Sequence, residues 1–154
     1  MVDSNLIINP VIGRGMDFPN VSLIVQVGLP SNPDAYVHRV GRTARAGKDG
    51  RAVILLTQAE SFFCSVNRQF KITPYPASDK ILKDTQSLLD VNRAMKMLGD
   101  HDKQKAYSSY LGFMKVFMNK LNVGATGLVK MANELALKGM GCEKVPGMEK
   151  KTIK

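Results

Sequence analysis

The chain has 154 residues, 44% of them apolar, which excludes a wholly disordered protein and allows one ordinary domain or a part-domain with an appendage. Its net charge of +9 at pH 7 points to a polyanionic partner. Cys64 and Cys142 stand far apart, without further cysteine or histidine at ligand spacing, so a disulfide framework or zinc site is not expected. No apolar run approaches the roughly 20 residues that a membrane span needs.

The positive charge is uneven along the chain. Up to Tyr75, eight Lys and Arg oppose five Asp and Glu, whereas beyond it fourteen oppose eight. The excess grows and changes from arginine to lysine. Lysine excess is compatible with nucleic-acid binding and also with a merely solvated surface.

The first half of the chain is typical of an α/β protein. Val21–Val27 and Ala52–Thr57 are mostly apolar and β-branched, as strands buried on both faces would be. Between them, Asn32 and Pro33 supply a cap and a first turn, which predicts a helix running from Pro33 into an arginine cluster. A second helix is predicted from Glu60 to Phe70. The order of these elements predicts parallel pairing of the strands.

The arginine cluster lies at residues 38–47, with the sequence His-Arg-Val-Gly-Arg-Thr-Ala-Arg-Ala-Gly. If this stretch is helical, His38, Arg42 and Arg45 share one face. Two guanidinium groups on one face suit phosphate oxygens, to which each can donate paired hydrogen bonds. The alternative is a basic helix end that only complements its own dipole.

A second polar stretch, Arg-Gly-Met-Asp at residues 14–17, lies between a short, weakly strand-like run at Leu6–Ile8 and the strand predicted at Val21–Val27. Ligands of parallel sheets bind at the carboxyl ends of strands. Because this loop and the arginine helix both follow strands, one ligand could touch both. Gly-x-Asp alone is also a common turn.

Beyond Ile72–Pro76 no strand pattern remains. Apolar residues recur at helical intervals and predict three amphipathic helices whose methionines and aromatics form a core. Their members are Ile81, Leu82, Leu88, Leu89, Val91, Met95 and Leu98; Tyr110, Phe113, Met114, Phe117 and Leu121; and Leu128, Met131, Ala132 and Leu135. Gly139 stands near the end of the third helix.

The arginine cluster resembles motif VI of superfamily 2 RNA helicases, and more narrowly that of DEAD-box proteins. Residues 11–20 resemble DEAD-box motif V, although Asn9-Pro10 stands where that family has Thr-Asp. The resemblance implies that Arg42 and Arg45 are catalytic arginine fingers on ATP and that Asp17 contacts the ATP ribose. It also implies that Gly15 lies near the RNA backbone and that His38 and Arg39 couple the two lobes.

The second half resembles the helical extension of fungal mitochondrial DEAD-box helicases. The matching residues are Lys105–Tyr107, Tyr110–Phe113 and Pro146–Thr152. The expected fold is a partial RecA-like parallel sheet, the helicase C-terminal lobe, followed by an all-α extension. The expected division is an uncertain edge at residues 1–10, the lobe at 11–75, the extension at 76–142 and a polar tail at 143–154.

A phosphate-binding Gly-x-x-x-x-Gly-Lys loop, an Asp-Glu-Ala-Asp motif and a first RecA-like lobe are absent from the sequence. We therefore expect the C-terminal fragment of an ATP-dependent RNA helicase, inactive as an ATPase alone, whose Mg²⁺ ligands would lie on the missing lobe. Its partners would be RNA, ATP and that lobe, with no membrane. The resemblance implies the mitochondrial matrix; otherwise the compartment would be cytoplasmic or nuclear. The alternatives are a non-catalytic basic RNA-binding module and a non-functional product of a truncated gene.

Overall fold

The computed structural model describes residues 21–44, 49–75 and 85–148. By packing, the chain divides into two compact units, Met1–Gln58 and Ala59–Lys154. The boundary falls after Gln58, so both strands of the structure belong to the first unit. The lobe was expected to extend to residue 75, whereas residues 59–75 pack with the second unit. The expected domain boundaries stay predictions.

The first unit contains strand β1 (Leu23–Val27), helix α1 (Pro33–Val40) and strand β2 (Arg51–Leu55). The strands are parallel and in register from Leu23 opposite Arg51 to Val27 opposite Leu55. The predicted strands, their parallel pairing and the helix start are confirmed. Asn32 caps α1, its side-chain oxygen accepting a hydrogen bond from the Ala35 amide at 2.8 Å, and Pro33 occupies the first turn.

The expectation that both strands are buried on both faces is wrong for the described structure. Exposure alternates along β1: Leu23, Val25 and Val27 face solvent, Val27 being 78% exposed, while Gln26 is buried. A β-branched run fits a pleated sheet, but burial of both faces needs a covering element on each side. Helix α1 packs against β1, and a helix of eight residues covers one face of a two-stranded sheet at most.

The second unit is helical. The single helix predicted from Glu60 to Phe70 is broken in the structure into two 3₁₀ turns around a short α-helix, because Asn67 and Lys71 leave helical geometry. The elements in chain order are a 3₁₀ turn (Ala59–Ser61), α2 (Phe62–Val66), a 3₁₀ turn (Arg68–Phe70), α3 (Thr85–Met97), α4 (Asp100–Lys115), α5 (Met118–Leu121), α6 (Ala125–Glu134) and a π-helical turn (Leu135–Gly139). Among the helices in the described ranges, none has the length and apolarity of a membrane-crossing segment.

The core of the second unit lies where α4 packs against α6 and the π turn. Its buried face on α4 is formed by Tyr107, Leu111 and Met114, and Phe117 follows after the helix ends. Of the predicted stripe, Met114 and Phe117 are confirmed as buried, and Tyr110 and Leu121 are half-buried. Phe113 is exposed instead, and it contacts Phe117 with ring centroids 5.2 Å apart.

The stripe on α6 continues into the π turn. Leu128, Ala132, Ala136 and Met140 are all buried. Residues four apart in an α-helix drift by about 40° around the axis, so such a spacing would leave the buried face. The wider π turn, closed by a Met140 amide donating to the Leu135 carbonyl at 2.8 Å, reverses that drift and returns Met140 to the core.

Helix α3 departs from the prediction. The expected core positions on it are exposed, namely Leu88, Leu89, Val91 and Leu98, with Met95 half-buried. Helical spacing alone identifies an apolar stripe but not the element that covers it. Ile81 and Leu82 lie outside the described residues.

A side-chain hydrogen bond joins α4 and α6 in this core. The Tyr107 hydroxyl donates to Asn133 Oδ1 at 2.8 Å, and Tyr107 is only 3% exposed. We expect Tyr107→Phe to lower the free energy of unfolding by about 1–2 kcal/mol, because the amide oxygen of Asn133 loses its partner in a site that water reaches poorly. Urea denaturation of the full chain measures this. Tyr75→Phe, at a half-exposed position, is the matched control, and an equal loss in both variants would contradict the assignment.

An arginine turn as the candidate functional site

The candidate site is the turn that follows α1, and it forms because the helix ends at Val40. The Gly41 amide still donates to Val37 at 2.8 Å, but the next amides switch to shorter bonds, Arg42 to Arg39 and Thr43 to Val40, each at 3.1 Å. Arg42 therefore lies in a tight turn and not on a regular helix. The shared helical face expected for residues 38, 42 and 45 is not how the structure positions Arg42.

A hydrogen bond fixes the Arg42 side chain within this turn. Its Nε donates to the His38 carbonyl oxygen at 3.2 Å, one turn back along α1. A guanidinium carries five N–H donors in a planar fork, a geometry suited to oxyanions. Arg42 is half-buried, which strengthens any contact with a phosphate relative to a fully solvated one.

His38 and Arg39 occupy the last turn of α1. The His38 side chain is exposed. Arg39 is half-buried, and the loss of hydration lowers the pKa of its guanidinium from the ordinary value. The basic residues in this last turn also favour the helix dipole, so the dipole interpretation and a ligand role are compatible.

Gly15, Asp17 and Arg45 lie outside the described residues. The structure thus places His38, Arg39 and Arg42 close together at the end of α1, and the roles of all six predicted residues stay predictions. Among the described residues, no group of three His, Cys, Asp or Glu side chains could hold a metal ion.

The turn lies at the amino ends of the strands, whereas the expected site was at their carboxyl ends. The Thr43 hydroxyl donates to the backbone carbonyl of Val21, just before β1. The Arg51 amide at the start of β2 donates to Ser22 at 2.9 Å. The reason is topological: α1 carries the chain back along the sheet, so the residues after it arrive where the parallel strands begin. The Asp17 loop precedes that same end of β1 in sequence.

Two residues that the sequence did not single out fix the turn, namely Thr43 within it and Gly50 beside it. Thr43 is buried, and a side chain added at Gly50 would meet the Thr43 hydroxyl and the Ala44 amide. Ala44 itself has a positive φ of 56°, an uncommon conformation for a residue with a side chain. The sequence offered no signal for the contacts of Thr43 with Val21 and Gly50, because single-sequence patterns do not record contacts between separate segments.

Residues 3–47 match the family described as Helicase conserved C-terminal domain. The match begins before Val11, where similarity was expected to start. A mitochondrial ATP-dependent RNA helicase, mss116, of Aspergillus oryzae is 57% identical over 146 residues, which are 93% of this chain and 23% of that protein. The corresponding MSS116 protein of Phaeosphaeria nodorum is 50% identical over 96% of this chain and 26% of its own. DEAD-box ATP-dependent RNA helicase 26 of Arabidopsis thaliana is 35% identical.

Solved structures share the fold. A structure of Mss116p bound to ssRNA and AMP-PNP matches 84% of this chain and 25% of its own, with a TM-score of 0.58 and 22% identity. Domain 2 of Mss116p bound to an RNA duplex matches 84% of this chain and 50% of its own, with a TM-score of 0.59 and 21% identity. The α/β lobe with a helical continuation is therefore confirmed as a known arrangement.

The chain spans about a quarter of the length of the two fungal relatives. The chain is homologous to the C-terminal region of DEAD-box ATP-dependent RNA helicases.

Proposed function

We propose that this chain supplies the second-lobe half of an ATP-dependent RNA helicase, with Arg42 and Arg45 contacting the outer phosphate of ATP. The observation that carries the proposal is the Arg42 side chain, whose Nε donates to the His38 carbonyl at 3.2 Å in the turn that ends α1. The relatives named as ATP-dependent RNA helicases and a solved structure bound to ssRNA and AMP-PNP support it.

The donor chemistry of the turn fits the phosphates of ATP, since a guanidinium donates paired hydrogen bonds to oxyanions. Bound ATP would supply the phosphoryl group transferred to water, and carboxylates of the first lobe would hold the Mg²⁺ that neutralises phosphate charge. Arg42 and Arg45 stabilise the negative charge that develops in the transition state. Asp17 accepts a hydrogen bond from the ribose, and Gly15 allows the RNA backbone to approach. His38 and Arg39 transmit the position of the turn to the first lobe.

The test joins the full 154-residue chain to the preceding part of the Aspergillus oryzae relative, in place of that protein's own matching segment. This chimera should hydrolyse ATP with stimulation by RNA, whereas the 154-residue chain alone should show no ATP turnover because the phosphate-binding loop is missing. A folded chimera that binds RNA without hydrolysing ATP would overturn the proposal. The mitochondrial names of the two fungal relatives support placing the native protein in the mitochondrial matrix.

A second function, RNA binding by the helical part without catalysis, is favoured by exposed lysines there. Lys115, Lys120 and Lys130 all face solvent in the second unit. Each lysine that neutralises a phosphate of single-stranded RNA contributes about 0.7 to the slope of log affinity against log salt.

We expect replacement of Lys115, Lys120 and Lys130 by alanine to flatten that salt slope by about 2 for the isolated chain binding single-stranded RNA. Arg42→Ala is the comparison and should leave the slope unchanged. Fluorescence anisotropy at several salt concentrations gives both slopes. Equal changes in the two variants would contradict a separate RNA-binding surface on the helices.

A further inference from the structure

The arginine turn, residues 41–44, is held by a hydrogen bond between two residues of the first unit that lie 22 positions apart in sequence. Thr43, next to Arg42, is 6% exposed, and its hydroxyl donates to the carbonyl oxygen of Val21. Its own amide donates to the Val40 carbonyl at 3.1 Å. Thr43 therefore ties the end of α1 to the chain immediately before β1.

The second side of the turn is closed by Gly50. An added Cβ there would overlap the Thr43 hydroxyl and the Ala44 amide, so the backbone before β2 lies directly against the turn. Arg51, the next residue, is fixed by donating its amide to the Ser22 carbonyl at 2.9 Å. The turn is thus enclosed between the starts of both strands.

These contacts fix the backbone next to Arg42 and so limit the directions that its side chain can take. The hydrogen bond from its Nε to the His38 carbonyl orients the Arg42 side chain relative to α1. The hydrogen bond from the neighbouring Thr43 to the Val21 carbonyl orients the end of α1 relative to the start of β1. Both contacts therefore contribute to the position of the guanidinium.

From these contacts we infer that Thr43 is a positioning residue for ATP hydrolysis, holding the arginine turn through its hydroxyl against the Val21 carbonyl while Gly50 leaves it room. The inference rests on the proposed function, because Arg42 must act on the nucleotide. Thr43 is buried and its hydroxyl donates to Val21, so it acts on the reaction through the position of Arg42. Its loss should reduce the rate of the chemical step much more than the affinity for ATP, since misplacing a charge-stabilising group by about 1 Å can cost a hundredfold.

The experiment uses the chimera carrying the full chain, with kcat and KM for ATP measured at saturating RNA. Thr43→Val keeps the shape of the side chain and removes the hydroxyl. We expect kcat to fall at least about tenfold while KM changes less than about threefold. Thr43→Ser, which retains the hydroxyl, should restore most of kcat. Gly50→Ala, which crowds the hydroxyl, should lower kcat in the same way.

Tyr107→Phe is the control for stability, because it removes a buried hydroxyl contact in the second unit at 2.8 Å. Thermal melting is measured for each variant, and Tyr107→Phe should melt earlier without loss of kcat. Unchanged kcat in a folded Thr43→Val chimera would overturn the inference and leave the proposed function intact. If Thr43→Val does not fold, full activity in a folded Gly50→Ala chimera overturns the inference, and a selective loss of kcat supports it. An inactive parent chimera would refute the proposed function together with this inference.

Discussion

Arg42→Ala in the chimeric helicase should reduce RNA-stimulated kcat by about 10³-fold or more, the range found when an arginine finger is removed from other nucleoside triphosphatases. The reason is geometric and electrostatic. The guanidinium is half-buried and oriented by the His38 carbonyl at 3.2 Å, so its charge is already in place before the transition state forms. Steady-state ATP turnover at saturating RNA is the measurement.

The control for this effect is Arg93→Ala on α3. Arg93 is an exposed arginine with a long ion pair, 3.8 Å to Asp90 on the same helix, so its removal should leave kcat within a factor of about two. Arg42→Lys separates charge from shape: a lysine keeps the charge but lacks the planar pair of donors, and most of the loss should remain. Full activity of Arg42→Lys would show that the planar geometry is dispensable.

Met114→Ala should destabilise the helical unit by about 2–5 kcal/mol, the cost of emptying a buried methionine site. Met114 is 1% exposed on the face of α4 that packs against α6, so little solvent can fill the vacated volume. Denaturant unfolding of the full chain, followed by far-ultraviolet circular dichroism, measures the change.

Val116→Ala is the matched control for Met114→Ala, two positions away and 75% exposed. Its effect should stay within about 0.5 kcal/mol, as for other surface substitutions. Similar losses at both positions would mean that the buried face of α4 has been assigned wrongly.

Much of the first unit could be predicted from the sequence because its signals are local. Asn32 and Pro33 mark the start of α1, and the apolar runs mark both strands, which pair in parallel as the element order requires. The burial of the strands could not be predicted in this way. Val27 is apolar and 78% exposed, whereas Gln26 is polar and buried, since exposure depends on what packs against each face.

The candidate site, too, could be predicted from the sequence only in part. The spacing of the arginines indicated a phosphate-binding function, and Arg42 lies in an ordered turn. Its place at the amino ends of the strands, and the part played by Thr43 and Gly50, depend on contacts between residues far apart in sequence, and single-sequence patterns do not record such contacts. In the helices, the π turn after Glu134 shifted the buried face in a manner that regular helical spacing cannot anticipate.

The most direct test of the central claim is an experimental structure of the chimera bound to single-stranded RNA and AMP-PNP. If the claim holds, a terminal nitrogen of Arg42 lies within about 3 Å of an oxygen of the outer phosphate, with the Nε contact to the His38 carbonyl retained. A complex in which the nucleotide is bound and closed between the lobes while the Arg42 guanidinium points away from every phosphate would contradict it.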